Sequence, residues 1–295
     1  MINVLKSELY TFYSKRYVWV LTLLLFIPIF WFMGNSYKNI YYSLEEELVY
    51  IEDAKKAMEE MDSEYDFSGE YHILLDSVSV VSPANAINNM MMLFIGIGSL
   101  LLPILFALFI GNEYTHNQMQ LKIVNYGPLK VIAAKIIVLT TYVLGITIIL
   151  AGVGQFIANH HWDAYSATID KVATYIELPE LNTNYMLIVI TMVVLLFYSF
   201  VGFLIALLAR NSIVGIVANV VIAYGEAYIL NSSMPKWIFY NWLNKNSVSY
   251  ESSFVEFAMP AKVAPHGLVI SVVLIVIYFI LILSGIIAST KRRTS

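Results

Sequence analysis

The side chains whose types and spacing could carry chemistry are Glu226, the pair His160-His161 with Asp163, and the run Glu45-Glu46-Glu47. A carboxylate inside an apolar run costs ~2.5–3.5 kcal/mol if it faces lipid. Glu226 therefore points into a bundle or a water path, or it is neutralised by desolvation. It either lines a translocation path or is a structural carboxylate held beneath the segment that follows it. The histidine pair could ligate a metal, but neighbouring side chains on a helix point about 100° apart and a metal needs three or four convergent ligands. We read these residues as interfacial polar groups and assign no metal site. The glutamate run could suggest a membrane protease, yet it lies in a polar segment without a partnering arginine. H-E-x-x-H, G-x-S-x-G and the phosphate-binding P-loop are all missing. The absence of cysteine excludes disulfides, thiolate zinc sites, iron–sulfur clusters and cysteine nucleophiles. No catalytic constellation survives, so the chain itself reads as no enzyme.

The elements that must position these residues are apolar. Of the 295 residues 59% are hydrophobic and 13% charged, about half the charge of a soluble domain, and the mean hydropathy is +0.71. A bilayer core of ~30 Å needs roughly 20 apolar residues of helix, and six stretches qualify: 17–33, 90–111, 131–158, 185–209, 212–230 and 267–288. Alternation of the barrel type is absent. We therefore predict an all-α integral membrane protein of six spans, the fourth and fifth joined only by Arg210-Asn211. The first span reads as a retained helix, because Trp31-Phe32-Met33 replaces the small residues of a signal cleavage site.

Orientation follows from the basic residues. With both termini cytoplasmic, the inner segments hold Lys6, Lys15, Arg16, Lys122, Lys130, Lys135, Arg210, Lys291, Arg292 and Arg293, against only two acids, Glu8 and Glu113. The expected place is a plasma membrane. Residues 1–16 set Ile2, Leu5, Leu9, Phe12 and Tyr13 at helical spacing, which predicts an interfacial amphipathic helix. The outer segment 34–89 holds twelve acids and three bases. Within it Leu44, Leu48, Ile51, Ala54, Met58 and Met61 form a helical seam, which packs either on a neighbouring protein or on the rest of its own loop. Residues 159–184 form a second outer loop. In 231–266 the run Met234–Leu243 is too aromatic for a solvated loop and too short to span, so short helices dipping into the outer leaflet are expected. Residues 289–295 form an inner tail.

The segment 112–130 carries the most informative pattern: Gly111-Asn112-Glu113-Tyr114-Thr115-His116-Asn117-Gln118-Met119-Gln120-Leu121-Lys122, then Tyr126-Gly127-Pro128 and Ala134-Lys135. This resembles the permease subunits of type-2 ABC transporters, in which an acid ends the second span, a short polar helix follows, and an Ala/Gly-Lys pair opens the third. The start, Leu5-Lys6-Ser7-Glu8-Leu9 before Lys15-Arg16, resembles the same family's N-terminal interface helix. The family usually has a basic residue and Gly-Thr after the acid, where His116-Asn117-Gln118 stand here. With its long first outer loop, the chain is similar to bacterial permeases that export, or confer immunity to, antimicrobial and cytolytic peptides.

The resemblance implies that the helix Glu113, Tyr114, Thr115, His116, Asn117, Gln118, Met119 and Gln120 sits in a groove of a separate ATPase and transmits its closure. Leu5, Lys6, Leu9 and Phe12 would brace that contact. It implies two ATPase subunits holding ATP and Mg, with no cofactor on this chain. It also implies a second permease chain, identical or homologous, and no nucleic acid. Apolar walls with few buried charges suit a hydrophobic or amphipathic substrate. The alternatives are a gradient-driven transporter or channel, which often shows internal repeats or several midplane charges, and a non-transporting sensor or assembly protein built on the acidic outer helix.

Overall fold

The computed structural model describes residues 1–61, 65–179, 182–225, 235–245 and 268–291. Among these residues the regular structure is helical, with no strand. The helices are α1 (Ile2–Tyr13), α2 (Arg16–Met61), α3 (Ser68–Val81), α4 (Ala86–Thr115), α5 (Gln118–Tyr126), α6 (Pro128–Ala164), α7 (Ser166–Val172), α8 (Met186–Ala209), α9 (Ser212–Tyr224), α10 (Trp237–Lys245) and α11 (Leu268–Lys291), with a 3-10 turn at Pro83–Asn85. Glu226 lies outside the described residues, as do most of 231–266 and the last four residues. Four helices, α2, α4, α6 and α8, are long and apolar enough to cross a membrane. α9 and α11 contribute the shorter apolar stretches Ser212–Ile222 and Ile275–Ala288.

α4 is the central helix, packed against α8, α9, α6 and α2. Where lipid rather than water surrounds a helix, association depends on close packing more than on apolar burial. Two glycines show how close. A Cβ on Gly111 of α4 would collide with the backbone of Ser212 at the start of α9. A Cβ on Gly202 of α8 would lie 2.5 Å from the amide nitrogen of Asn219 and 2.7 Å from the carbonyl oxygen of Pro103. The outer faces stay apolar, with Trp19, Leu23, Ile27 and Trp31 of α2 and Ile148, Ile149 and Phe156 of α6 all exposed. The hairpin between α8 and α9 is as tight as the sequence requires. Arg210 takes the left-handed conformation (φ 54°), and the Asn211 side chain accepts the Ile213 N–H at 2.8 Å, capping α9.

Two expectations are corrected. The first span and the acidic outer helix form one continuous helix of 46 residues, about 69 Å long at 1.5 Å per residue. Gly34, Asn35 and Ser36 could end a helix at this polar boundary, but the buried row Met33, Tyr37, Tyr41, Leu44 and Leu48 runs through them at helical spacing and carries the helix on. Of the apolar stripe in α1, Phe12 is buried beside Val4 and Glu8, and Ile2 is exposed. Leu5 and Leu9 only flank that buried row, because Glu8 is drawn inward by partners described below. Second, the helix expected to run from Glu113 is two helices. Glu113–Thr115 complete α4, and Asn117 in the left-handed region (φ 55°) breaks the path before α5 begins at Gln118.

The seam of α2 packs largely within its own chain. Leu44, Leu48 and Ile51 are buried, and α3 and α7 lie against α2. Lys55 sits 4.4 Å from the ring centre of Tyr175, 5.6 Å from that of Tyr71 and 5.8 Å from that of Phe67. Thr168 of α7 donates to Glu45 at 2.9 Å. Lys56 lies 3.9 Å from Asp53, one turn back on the same helix.

Candidate functional site: a buried ring of four charges

Four segments converge where α1, the end of α4, α5 and the start of α6 meet. Each contributes one charged side chain: Glu8, Glu113, Lys122 and Lys135. The Lys122 Nζ lies 2.7 Å from Glu8 Oε1 and 2.8 Å from Glu113 Oε1. The Lys135 Nζ lies 2.6 Å from Glu8 Oε2 and 2.8 Å from Glu113 Oε2. Every carboxylate oxygen thus touches one ammonium, and every ammonium bridges two carboxylates. The bonds Lys122 to Glu113 and Lys135 to Glu8 have hydrogen-bond geometry, and the other two contacts close the ring as ion pairs. Its formal charge is zero.

Burial makes this arrangement costly to disturb. Glu8 and Lys135 are fully buried, Glu113 is 2% exposed and Lys122 is 17% exposed. Isolated charges in such a place carry a penalty of several kcal/mol each, which only mutual pairing offsets. Lys122 shows the balance. Burial pushes its ammonium toward the neutral form, but Glu113 and Glu8 outweigh that and raise its pKa above the ordinary lysine value. Glu113 stands in the last turn of α4, where the helix dipole disfavours an anion, so the two lysines are what hold it there. An aromatic layer seals the ring from the apolar side. Lys135 Nζ is 4.1 Å from the Phe109 ring centre, and Phe12 packs edge-on to both Phe109 and Tyr142 at 5.0 Å. Tyr142 shares a 2.5 Å hydrogen bond with Thr22 of α2, tying a fifth segment to the layer.

α5 hangs from this ring between two backbone turns. Asn117 leads into it, and Gly127 (φ 82°) leads out to Pro128, the first residue of α6. Lys122 and the buried Met119 fix its inner face, while Leu121 and Val124 are exposed at 65% and 83%. Of the residues expected in the helix, Glu113 and Met119 are buried, whereas His116, Asn117, Gln118 and Gln120 are exposed. Tyr114 is half-buried, and Thr115 donates to the Gly111 carbonyl at 3.3 Å. In α1, Phe12 is buried, Leu5 and Leu9 are half-buried, and Lys6 is exposed.

The sequence reading named Glu113 but did not join Glu8, Lys122 and Lys135 to it. A signal was present: the basic end of the chain holds two acids only, and both are in the ring. At the opposite end, the His161 ring stacks on Tyr41 and Tyr165, whose own rings lie 4.4 Å apart. Among the described residues no group of three or more His, Asp or Glu is arranged to hold a metal.

Compared with known proteins, the chain matches no family model, no curated protein and no solved structure.

Proposed function

We propose that this chain is the membrane permease subunit of an ATP-driven ABC exporter of the type-2 kind, moving a hydrophobic or amphipathic molecule such as an antimicrobial or cytolytic peptide. In this reading six helices span the cell membrane, both termini are cytoplasmic, and a second permease chain and two ATPase subunits complete the complex. The observation that carries the reading is the suspension of α5. It is a nine-residue helix with an exposed apolar outer face, and its inner face is joined by Lys122 to the end of α4 and to α1, whose carboxylates in turn hold Lys135 of α6. A force on α5 therefore reaches two long apolar helices through short, directional contacts instead of dissipating in a loop. Such an element suits a chain that receives mechanical work from a separate ATPase.

Gentle extraction of the tagged chain, followed by assay of ATP hydrolysis in what co-purifies, tests the idea. An ATPase should accompany the chain. Alanine at Glu113 and residues 116–120 should abolish its capture or its stimulated turnover. Val124→Asp, on the exposed face, should do the same while leaving the ring intact, which separates lost docking from lost folding. Transport sustained by an ion gradient, with no nucleotide dependence, would overturn the reading.

A further inference from the structure

Beside the ring, α1 and α5 enclose a groove of about 380 Å³ lined by Tyr10, Thr11, Ser14, Lys15, Gln118 and Lys122, with Leu121 at its edge. No carboxylate lines it. The two acids at this end, Glu8 and Glu113, are committed to the ring. Lys122 turns one side to those acids and, being 17% exposed, another to the groove. Lys15 and its neighbour Arg16 pair with no carboxylate among the described residues. The Ser14 hydroxyl donates to the Thr11 carbonyl at 3.1 Å. The donors left for an occupant are then the two ammonium groups, the Gln118 amide and the hydroxyls of Thr11 and Tyr10. The charge of Lys122 is balanced within the ring, so the uncompensated positive charge is that of Lys15, and donors arranged around it select an anion.

Its depth indicates which anion. Immediately after Lys15-Arg16 the apolar run of α2 begins, and Trp19, 55% exposed, donates its indole N–H to the Tyr13 carbonyl at 2.9 Å. An exposed tryptophan at the edge of an apolar band marks the headgroup level of a bilayer. Tyr10 and Leu121, 79% and 65% exposed, give the cationic floor apolar lips. That combination fits a phosphate continued by acyl chains better than a carboxylate on a soluble partner.

We propose that the groove between α1 and α5 binds the phosphate of an anionic phospholipid. Lys122 belongs to both the groove and the ring, so the bound lipid touches the element that sets the position of α5. This inference depends on membrane embedding alone and stands apart from the ATPase reading.

The test is native mass spectrometry of the full chain purified from membranes containing equal phosphatidylglycerol and phosphatidylcholine. The wild-type chain should retain the anionic lipid preferentially. Lys15→Gln should lower that retention about fivefold, the worth of one cation at a membrane surface. Lys15→Arg should preserve it, and Lys130→Gln, an exposed lysine outside the groove, should leave it unchanged. Equal retention of the two lipids would overturn the proposal, and so would equal losses in Lys15→Gln and Lys130→Gln. Displacement of the lipid by millimolar inorganic phosphate would assign the groove to a soluble anion and overturn it as well.

Discussion

At one end of the bundle Glu8, Glu113, Lys122 and Lys135 are buried as ions, and at the other Tyr37, Asn85, Asn88 and Asn89 are buried as neutral groups. The neutral end is a chain of single hydrogen bonds. Asn89 donates to the Tyr37 hydroxyl at 3.0 Å and to the Val80 carbonyl at 2.9 Å; Asn88 donates to Asn85 at 2.7 Å, and Asn85 to the Ser79 carbonyl at 2.6 Å. The amide oxygens of Asn88 and Asn89 accept no hydrogen bond among the described residues. The charged end is reciprocal: each carboxylate oxygen lies within 2.8 Å of an ammonium, two of the four contacts as hydrogen bonds and two as ion pairs, so each member depends on two others. Loss of one link at the neutral end leaves the remainder dipolar and tolerable. Loss of one ion at the charged end leaves an uncompensated charge where water cannot reach it. One end is therefore adaptable, and the other holds a fixed geometry or fails.

The largest expected effect breaks the ring at its most buried cation. Lys135→Met should cost about 3–5 kcal/mol of stability, because it strands two carboxylates on one ammonium. Thermal unfolding of the detergent-solubilised chain measures it. Adding Glu8→Gln restores neutrality, and the double variant should melt above Lys135→Met. A double variant as unstable as the two single losses combined would show that the four groups do not act as a unit. Lys122→Met should cost less than Lys135→Met, since its partial exposure lets water solvate what remains. Next in size is Gly111→Ala, which pushes a methyl into the backbone at Ser212 and should cost about 1–3 kcal/mol by overpacking. A melting temperature unchanged by that methyl would mean that the charged end holds its form without the α4–α9 contact.

The difference between the ends also explains what was legible in the sequence. The helical class and the four long apolar helices among the described residues were legible, because long apolar runs and the Arg210-Asn211 turn are local signals that need no tertiary context. The continuity of α2 through Met33 was missed, since Gly34-Asn35-Ser36 are turn-forming residues at a polar boundary and only the helical spacing of Met33, Tyr37, Tyr41, Leu44 and Leu48 says otherwise. The ring was half visible. Glu113 stood out in its motif, but Glu8 is 105 residues before it and 127 before Lys135, and no spacing rule connects groups that meet through folding. The same distance hid the inward turn of Glu8 on α1, because its partners Lys122 and Lys135 lie on α5 and α6.

At the neutral end the expected effects are smaller. Tyr37→Phe removes the acceptor of one Asn89 bond and should cost about 0.5–1.5 kcal/mol, the net worth of a neutral hydrogen bond. A loss as large as that of Lys135→Met would erase the contrast between the ends, because it would make the amide network as intolerant as the ring.

The smallest effect concerns pH, and its sign follows from Lys122. The pKa of this group is raised in the folded chain by Glu113 and Glu8 acting against burial. A cation stabilised in this way contributes fully below its unfolded pKa, and the contribution is lost as pH rises through the higher folded value. With an ordinary lysine value of about 10.4, the melting temperature should be flat from roughly pH 7 to pH 9 and decline only in more alkaline solution. The phenols of the opposite end do not blur this window, because burial raises the pKa of Tyr37 and Tyr41 and keeps them neutral across it. Lys122→Met should remove part of the alkaline decline. A wild-type curve that rises between about pH 7 and pH 9 would mean that burial defeats the two carboxylates and that Lys122 sits in the ring as an amine, because the unfolded chain would then bind the extra proton.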